Sequence, residues 1–262
     1  MTTPDRPAPI AALASLLRLS LLRLWRGRQL KLALAITLLV SAIGIAARYA
    51  TGAAPEATEK AIFDNGLFLV IVYVLPILLA SGALADEIDS RTLTYLLVRP
   101  VPRSVICIGK YLAAALATAT LLVAAVLVVH VGCFAAHPAQ LVEHIEIPLR
   151  AAGGLGLVAF AYCAIGLFFG ALVAEAPSIL TALWFLLMEF AAGIVPGPFR
   201  LISLNHHAQN VAGLLDAESS FSQYTPAVEP WTSALIVAAA AAGWICAGAL
   251  VVRFSDFRFG RA

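Results

Sequence analysis

Ala85-Asp-Glu-Ile-Asp-Ser-Arg-Thr-Leu-Thr-Tyr-Leu-Leu-Val-Arg-Pro-Val-Pro-Arg-Ser-Val-Ile-Cys-Ile-Gly-Lys110 is a polar stretch inside a chain that is otherwise mostly apolar. Asp86, Glu87 and Asp89 come first, Leu93, Leu96 and Leu97 follow, and Arg99, Arg103 and Lys110 come last. Acids near the start and bases near the end suit a helix dipole. Leu93, Leu96 and Leu97 lie at i, i+3 and i+4 and form one apolar stripe. Pro100 pushes Arg99 out of helical geometry and ends the element. The stretch therefore predicts a short amphipathic helix, Glu87 to Val98, lying between two apolar segments. Its stripe needs cover, either from the lipid interface or from another protein.

The rest of the chain sets the class. Hydrophobic residues make up 61% of 262 and charged residues 12%, which excludes a soluble domain and indicates an all-α polytopic membrane protein. Six apolar segments run from about Leu32 to Ala47, Phe63 to Leu84, Val105 to Phe134, Ala151 to Val173, Pro177 to Val195 and Trp231 to Val252. Most exceed the roughly 20 residues that cross ~30 Å of hydrocarbon. The first is the shortest and can borrow from its flanks. These boundaries predict a tail with a basic interfacial helix over 1–31, a six-helix transmembrane domain over 32–252, and a polar tail over 253–262.

Within 1–31 the first nine residues are polar and proline-rich and read as a disordered tail. Beyond them, Ile10, Leu13, Leu17, Leu21 and Leu24 share one helical face, while Ser15, Arg18, Arg23 and Arg26 share the other. Leu22 is the exception. This is the pattern of a basic amphipathic helix lying in a membrane interface. Arg18 and Arg23 interrupt any core a cleaved signal peptide would need.

Six spans put both termini on one side. That side collects thirteen Lys and Arg, in the N-terminal segment, the 85–110 loop and the C-terminal tail, against four on the other: Arg48, Lys60, Arg150 and Arg200. The bias places the termini and the 85–110 loop in the cytoplasm. Basic residues that follow topology in this way, with a net charge of only +2, give no sign of nucleic-acid binding. Trp25 and Trp231 sit where interfacial aromatic anchors are expected.

Candidate chemistry is sparse. Ile108-Gly109-Lys110 has Ser104 where a Walker A loop needs its first glycine, and no Ser or Thr follows the lysine, so the chain is not expected to hydrolyse ATP. Glu189 is the one carboxylate deep in a segment, and it reads either as structural or as lining a pathway. His130 reads as interfacial. His137, Glu143, His144, Glu146, His206 and His207 fall in outward loops without an established metal spacing, so no metal is expected. Cys107, Cys133, Cys163 and Cys246 are scattered and read as small apolar residues at packed positions. Gly166 and Gly170 form a GxxxG step that reads as helix packing. The few residues around Glu175 make segments four and five a tight hairpin. In the long outward loop, about 197–230, Ala208 to Leu215 reads as helical.

The run Glu87, Thr92-Leu93, Leu96-Leu97, Pro100-Val101, Arg103 and Lys110 resembles the cytoplasmic loop after the second span in membrane subunits of type-2 ATP-binding-cassette (ABC) exporters, of the small six-span kind. Arg91 stands where that family usually has glycine. The resemblance implies that Glu87, Thr92, Leu93, Leu96, Leu97, Arg99, Pro100 and Arg103 form a coupling helix against a separate ATPase, present in two copies, which would bind ATP and Mg. It also implies a second permease subunit, identical or homologous, a membrane-lipid environment, and an outward re-entrant loop over 197–230 that caps the pathway. Two other classes stay open at this point: a membrane-embedded enzyme using the outward histidines, and a secondary transporter that carries protons on Glu189.

Overall fold

The computed structural model describes residues 9–89, 103–195, 198–215 and 228–254, and all regular elements among them are helical. Five helices are long and apolar enough to cross a membrane: Arg28–Thr51 (span one), Pro55–Ala85 (span two), Ser104–Phe134 (span three), Glu146–Leu172 (span four) and Pro230–Phe254 (span six). A shorter apolar helix, Pro177–Gly193, is span five. The chain is thus an all-α polytopic membrane protein.

Two boundaries differ from the sequence reading. Span one is not the shortest, because Arg28, Lys31 and Arg48 lie within its first and last turns, and Gly52 ends it in the left-handed conformation at φ 66°. Span five is the shortest. It runs as α-helix from Pro177 to Trp184 and as π-helix from Phe185 to Phe190. A second π stretch, Ile62–Ile71, follows the α-helical start of span two, Pro55–Ala61, and lies ahead of Pro76, whose ring and missing N–H disturb the helix ladder.

Span four is the hub. Of its most apolar window 67% is buried, against 17% in span one and 22% in span six. Its sequence explains this: Ala151, Gly154, Ala159, Ala161, Cys163, Ala164, Gly166, Gly170 and Ala171 are all buried, and small residues let neighbouring backbones approach. Spans three and six and the helix Leu204–Ala212 pack on it. The GxxxG step meets the end of span two: a Cβ on Gly166 would touch Pro76 O at 3.3 Å, and one on Gly170 would collide with Ser81 O. Phe168, Phe169, Trp184 and Trp244 interlock spans four, five and six, with the two indoles 5.2 Å apart and edge to face. Residues 173–176 alone join spans four and five.

The N-terminal helix, Pro9–Arg26, packs against the start of span three, where a Cβ on Gly109 would lie 3.3 Å from Leu16 Cβ. Leu13, Leu17, Leu21 and Leu24 are half-buried, while Ser15, Arg18, Leu22, Arg23 and Arg26 are exposed, in accord with the expected two faces. Trp25 and Trp231 are exposed as well. Of the cysteines, Cys107, Cys133 and Cys163 are buried; Cys246 departs from the expectation and faces outward on span six.

Candidate functional site

At the loop end of the bundle, span two does not stop at the expected boundary but continues as a helical segment, Gly82–Asp89, which carries Glu87. The third-span helix opens at Arg103. Thr92, Leu93, Leu96, Leu97, Arg99 and Pro100 lie outside the described residues. What is described is the seat of the loop. The Lys110 ammonium donates to Ala83 O at 3.0 Å and is itself buried. Ser81 Oγ lies 2.9 Å from Ser178 Oγ, linking the end of span two to the start of span five, and it also donates to Ile77 O. Tyr111 Oη donates to Phe160 O of span four at 3.2 Å. Together with Gly166 and Gly170, these contacts hold the root of the loop against spans three, four and five at once.

At the opposite end, Pro198–Ile202 forms a 3-10 turn and Leu204–Ala212 an α-helix, here called the cap helix. It begins four residues earlier than the sequence suggested. Ser203 is the reason: as N-cap it is extended, and its Oγ accepts from His206 N at 3.3 Å. Gly213, left-handed at φ 67°, ends the helix before Leu215. Leu204, Asn205, His206, His207, Ala208 and Ala212 are buried. Span four admits the helix through Gly154, where a Cβ would collide with Ala208 O.

Glu189 lies under this cap and is 4% exposed. Its Oε2 accepts from Tyr162 Oη at 2.8 Å, from Ser203 Oγ at 2.9 Å and from Asn205 N at 3.2 Å. The first comes from span four and the other two from the N-terminus of the cap helix. A carboxylate is suited to that position, because the first backbone N–H groups of a helix lack internal partners and carry partial positive charge. Glu189 and Ser203 each satisfy one of these groups, the former the amide of Asn205 and the latter that of His206. Tyr73, Tyr162 and Phe185 close around the carboxylate with ring centroids 4.8 to 5.5 Å apart.

His207 completes the attachment. Its Nε2 donates to Leu201 O at 3.0 Å, which leaves Nδ1 to accept from Ser233 Oγ of span six at 3.0 Å. Ser233 Oγ in turn accepts from Asn210 Nδ2 at 2.8 Å. Gln209 Nε2 reaches Asp64 Oδ1 of span two at 2.8 Å. The cap helix is therefore bonded to spans two, five and six and packed on span four. Burial, with Arg200 and His207 adding to it, pushes the pKa of His206 down to about 4, so its imidazole is neutral at pH 7.

A buried polar pair departs from the sequence reading. His130 is not interfacial but buried, and its Nδ1 lies 2.6 Å from Glu59 Oε1, with Glu59 fully buried. Its Nε2 donates to the carbonyl of Leu141 at 3.1 Å. Arg48, counted as a loop charge in the sequence, is also buried. Glu59 escaped notice because the apolar run begins at Phe63, whereas the helix begins at Pro55. A carboxylate and a cation within one turn of predicted span ends would have been the signal. Among the described residues, no group of three or more His, Cys, Asp or Glu side chains forms a metal-binding arrangement.

Among curated proteins the sequence finds no match. The family model described as ABC-2 family transporter protein does match, over residues 28–256. That range begins in the first turn of span one and takes in all six spans, the loop seat and the cap, so the chain belongs to the ABC-2 family and is a type-2 ABC transporter permease.

Proposed function

We propose that this permease is the membrane-spanning half of an ATP-driven exporter, working as a dimer with an identical or homologous permease and two copies of a separate ATPase. ATP and Mg bind in the ATPase, and the chain itself carries no catalytic residue. The thirteen-to-four distribution of basic residues supports cytoplasmic termini and a cytoplasmic 85–110 loop in a bacterial inner membrane.

On this reading, residues Glu87 to Val98 form the coupling helix. Leu93, Leu96 and Leu97 fill an apolar groove on the ATPase, Arg99 and Arg103 lie at its rim, Thr92 precedes the leucines and Pro100 closes the helix, while Glu87 lies on the helical segment Gly82–Asp89 that leads into it. Closure of the ATPase pair on ATP moves this helix as a lever, and the spans rock between two arrangements. The observation that carries the reading is the seat of the loop. Gly166 and Gly170 against residues 76–81, Lys110 on Ala83 O, and Ser81 on Ser178 pass a push at the loop straight into spans three, four and five.

The test is Leu96→Asp in the full chain, purified from its native membrane under gentle solubilisation. Mass spectrometry should recover an ATPase with Walker motifs beside the unaltered chain and lose it in the variant, while membrane insertion stays intact and transport stops. Unchanged ATPase recovery and unchanged transport in Leu96→Asp would remove the coupling assignment.

A further inference from the structure

Arg48 and Glu59 are 5% and 0% exposed, and the proposed function makes no use of either. The Arg48 guanidinium lies 4.8 Å over the Tyr49 ring, a contact made by its face and not by its N–H edges. Its Nε and Nη1 have no hydrogen-bond partner, and neither has Glu59 Oε2, although Glu59 Oε1 lies 2.6 Å from His130 Nδ1. Arginine keeps its charge in a protein and cannot escape burial by losing a proton. A buried charged atom without a partner is rare and costly, and here there are three.

Packing brings these atoms to one level of the bundle. Spans one and two run antiparallel, and two contacts set their register: a Cβ on Gly44 would collide with Ile62, and one on Gly66 would lie 3.2 Å from Val40 Cγ1. One helical turn beyond Gly44, the same register sets Arg48 opposite positions 58 and 59. Span three forms the third wall. Gly132 receives Ile45 so closely that a Cβ would collide with it, and Tyr49 Oη donates to Gly132 O at 3.0 Å. The neighbouring Cys133 is fully buried, and its thiol lies within electrostatic reach of both Arg48 and Glu59.

Arg48 and Glu59 do not bond each other, so the guanidinium and the carboxylate need an intermediary. Charge selects it. An anion would be repelled by Glu59 and a cation by Arg48, both at close range away from bulk solvent. A small neutral molecule that accepts from the guanidinium and donates to Oε2 satisfies both sides, and water is the one that buried polar groups ordinarily recruit. We propose that ordered water is bound between Arg48, Glu59 and Cys133 and bridges the two charges. The bridge continues through Glu59 Oε1 to His130, and from His130 Nε2 to Leu141 O. It thereby fastens spans one, two and three and the helix Pro138–Glu143 to one another at the cap end of the bundle. This site stands apart from the identity of any ATPase or transported substrate.

Hydroxyl-radical labelling of the purified full chain by brief X-ray pulses, read by mass spectrometry, tests for the water. Radicals form from water where it is bound and oxidise the side chain beside it, and a thiol is readily oxidised. Cys163 is the internal reference: it is fully buried like Cys133, but it lies in an apolar cluster and bonds Thr118 Oγ1 at 3.3 Å. In the unaltered chain Cys133 should be oxidised severalfold more than Cys163. Arg48→Met removes the donors and should bring Cys133 down to the level of Cys163. Tyr49→Phe removes only the neighbouring bond to Gly132 O and should leave Cys133 labelled. Equal, low labelling of the two cysteines in the unaltered chain would overturn the inference, and that comparison needs no variant to fold. Undiminished labelling of Cys133 in Arg48→Met, with Cys163 still protected, would overturn it as well, since water would then be present without Arg48 to hold it.

Discussion

Replacing Glu189 by leucine should release the cap helix while leaving the bundle folded. The substitution keeps a side chain of similar size but removes the acceptor for Tyr162 Oη, Ser203 Oγ and Asn205 N. All three residues are buried, and a buried donor left without a partner costs about 1–3 kcal/mol. Partial relaxation brings the expected total to about 3–5 kcal/mol, concentrated where two of the donors sit, at the start of the cap helix. Hydrogen–deuterium exchange over Leu204–Ala212 is the assay, because local opening is read there directly. At one decade per 1.4 kcal/mol, amides of that helix should exchange at least about a hundredfold faster. Glu189→Gln keeps an oxygen in reach of the same donors and should change exchange by less than about tenfold, with transport largely retained. Exchange in Glu189→Leu within about threefold of the unaltered chain would refute the argument. Loss of transport in Glu189→Gln with unchanged exchange would reassign the carboxylate to the pathway.

Gly170→Ala should strain the contact with Ser81 O and destabilise the seat of the loop by about 1–3 kcal/mol, whereas Gly153→Ala, which faces open space on the same helix, should stabilise slightly; thermal unfolding in detergent compares the two. Acid should loosen the cap through His206. Its pKa is lowered on folding, so the unfolded state binds more protons below about pH 6.5. The stabilisation from its neutral form is complete above that pH and is lost progressively as pH falls toward 4, a loss that exchange of Leu204–Ala212 should record and that His206→Leu should abolish.

Much of the fold was legible because hydrophobicity and small-residue spacing are local signals. Segment lengths gave six spans, and Gly166 and Gly170 announced a close helix approach without naming the neighbour. The neighbour, residues 76–81 of span two, lies about ninety positions away, and no periodicity carries that distance. The same limit applied to Glu189. Its depth in an apolar run marked it as unusual, but the donors that explain it come from Tyr162 on span four and from Ser203 and Asn205 beyond the end of its own helix. The cap helix was misplaced by four residues because its start depends on a Ser203 side chain and a Glu189 carboxylate acting together. His130 and Glu59 were illegible for a related reason: each looks like a span-end residue alone, and only the packing of span two on span three makes them a buried pair.

Span four gives these separate features a mechanical relation. It is one continuous helix from Glu146 to Leu172, and its only proline, Pro148, lies in the first turn, where a missing N–H breaks no ladder bond. Gly154 receives Ala208 of the cap, and Gly170 receives Ser81 at the root of the loop. At 1.5 Å per residue the two glycines are about 24 Å apart along the same rod. Neither contact has slack, since a single added methyl group would collide at both. A displacement of span two at Ser81 must therefore either tilt span four or open the Gly170 contact. Tilting carries Gly154 against Ala208, and the cap responds through bonds to Glu189, Ser233 and Asp64 that are individually exchangeable. Under the coupling mechanism proposed above, close packing at the loop end is the firm grip on span four and polar fastening at the cap end is the releasable one.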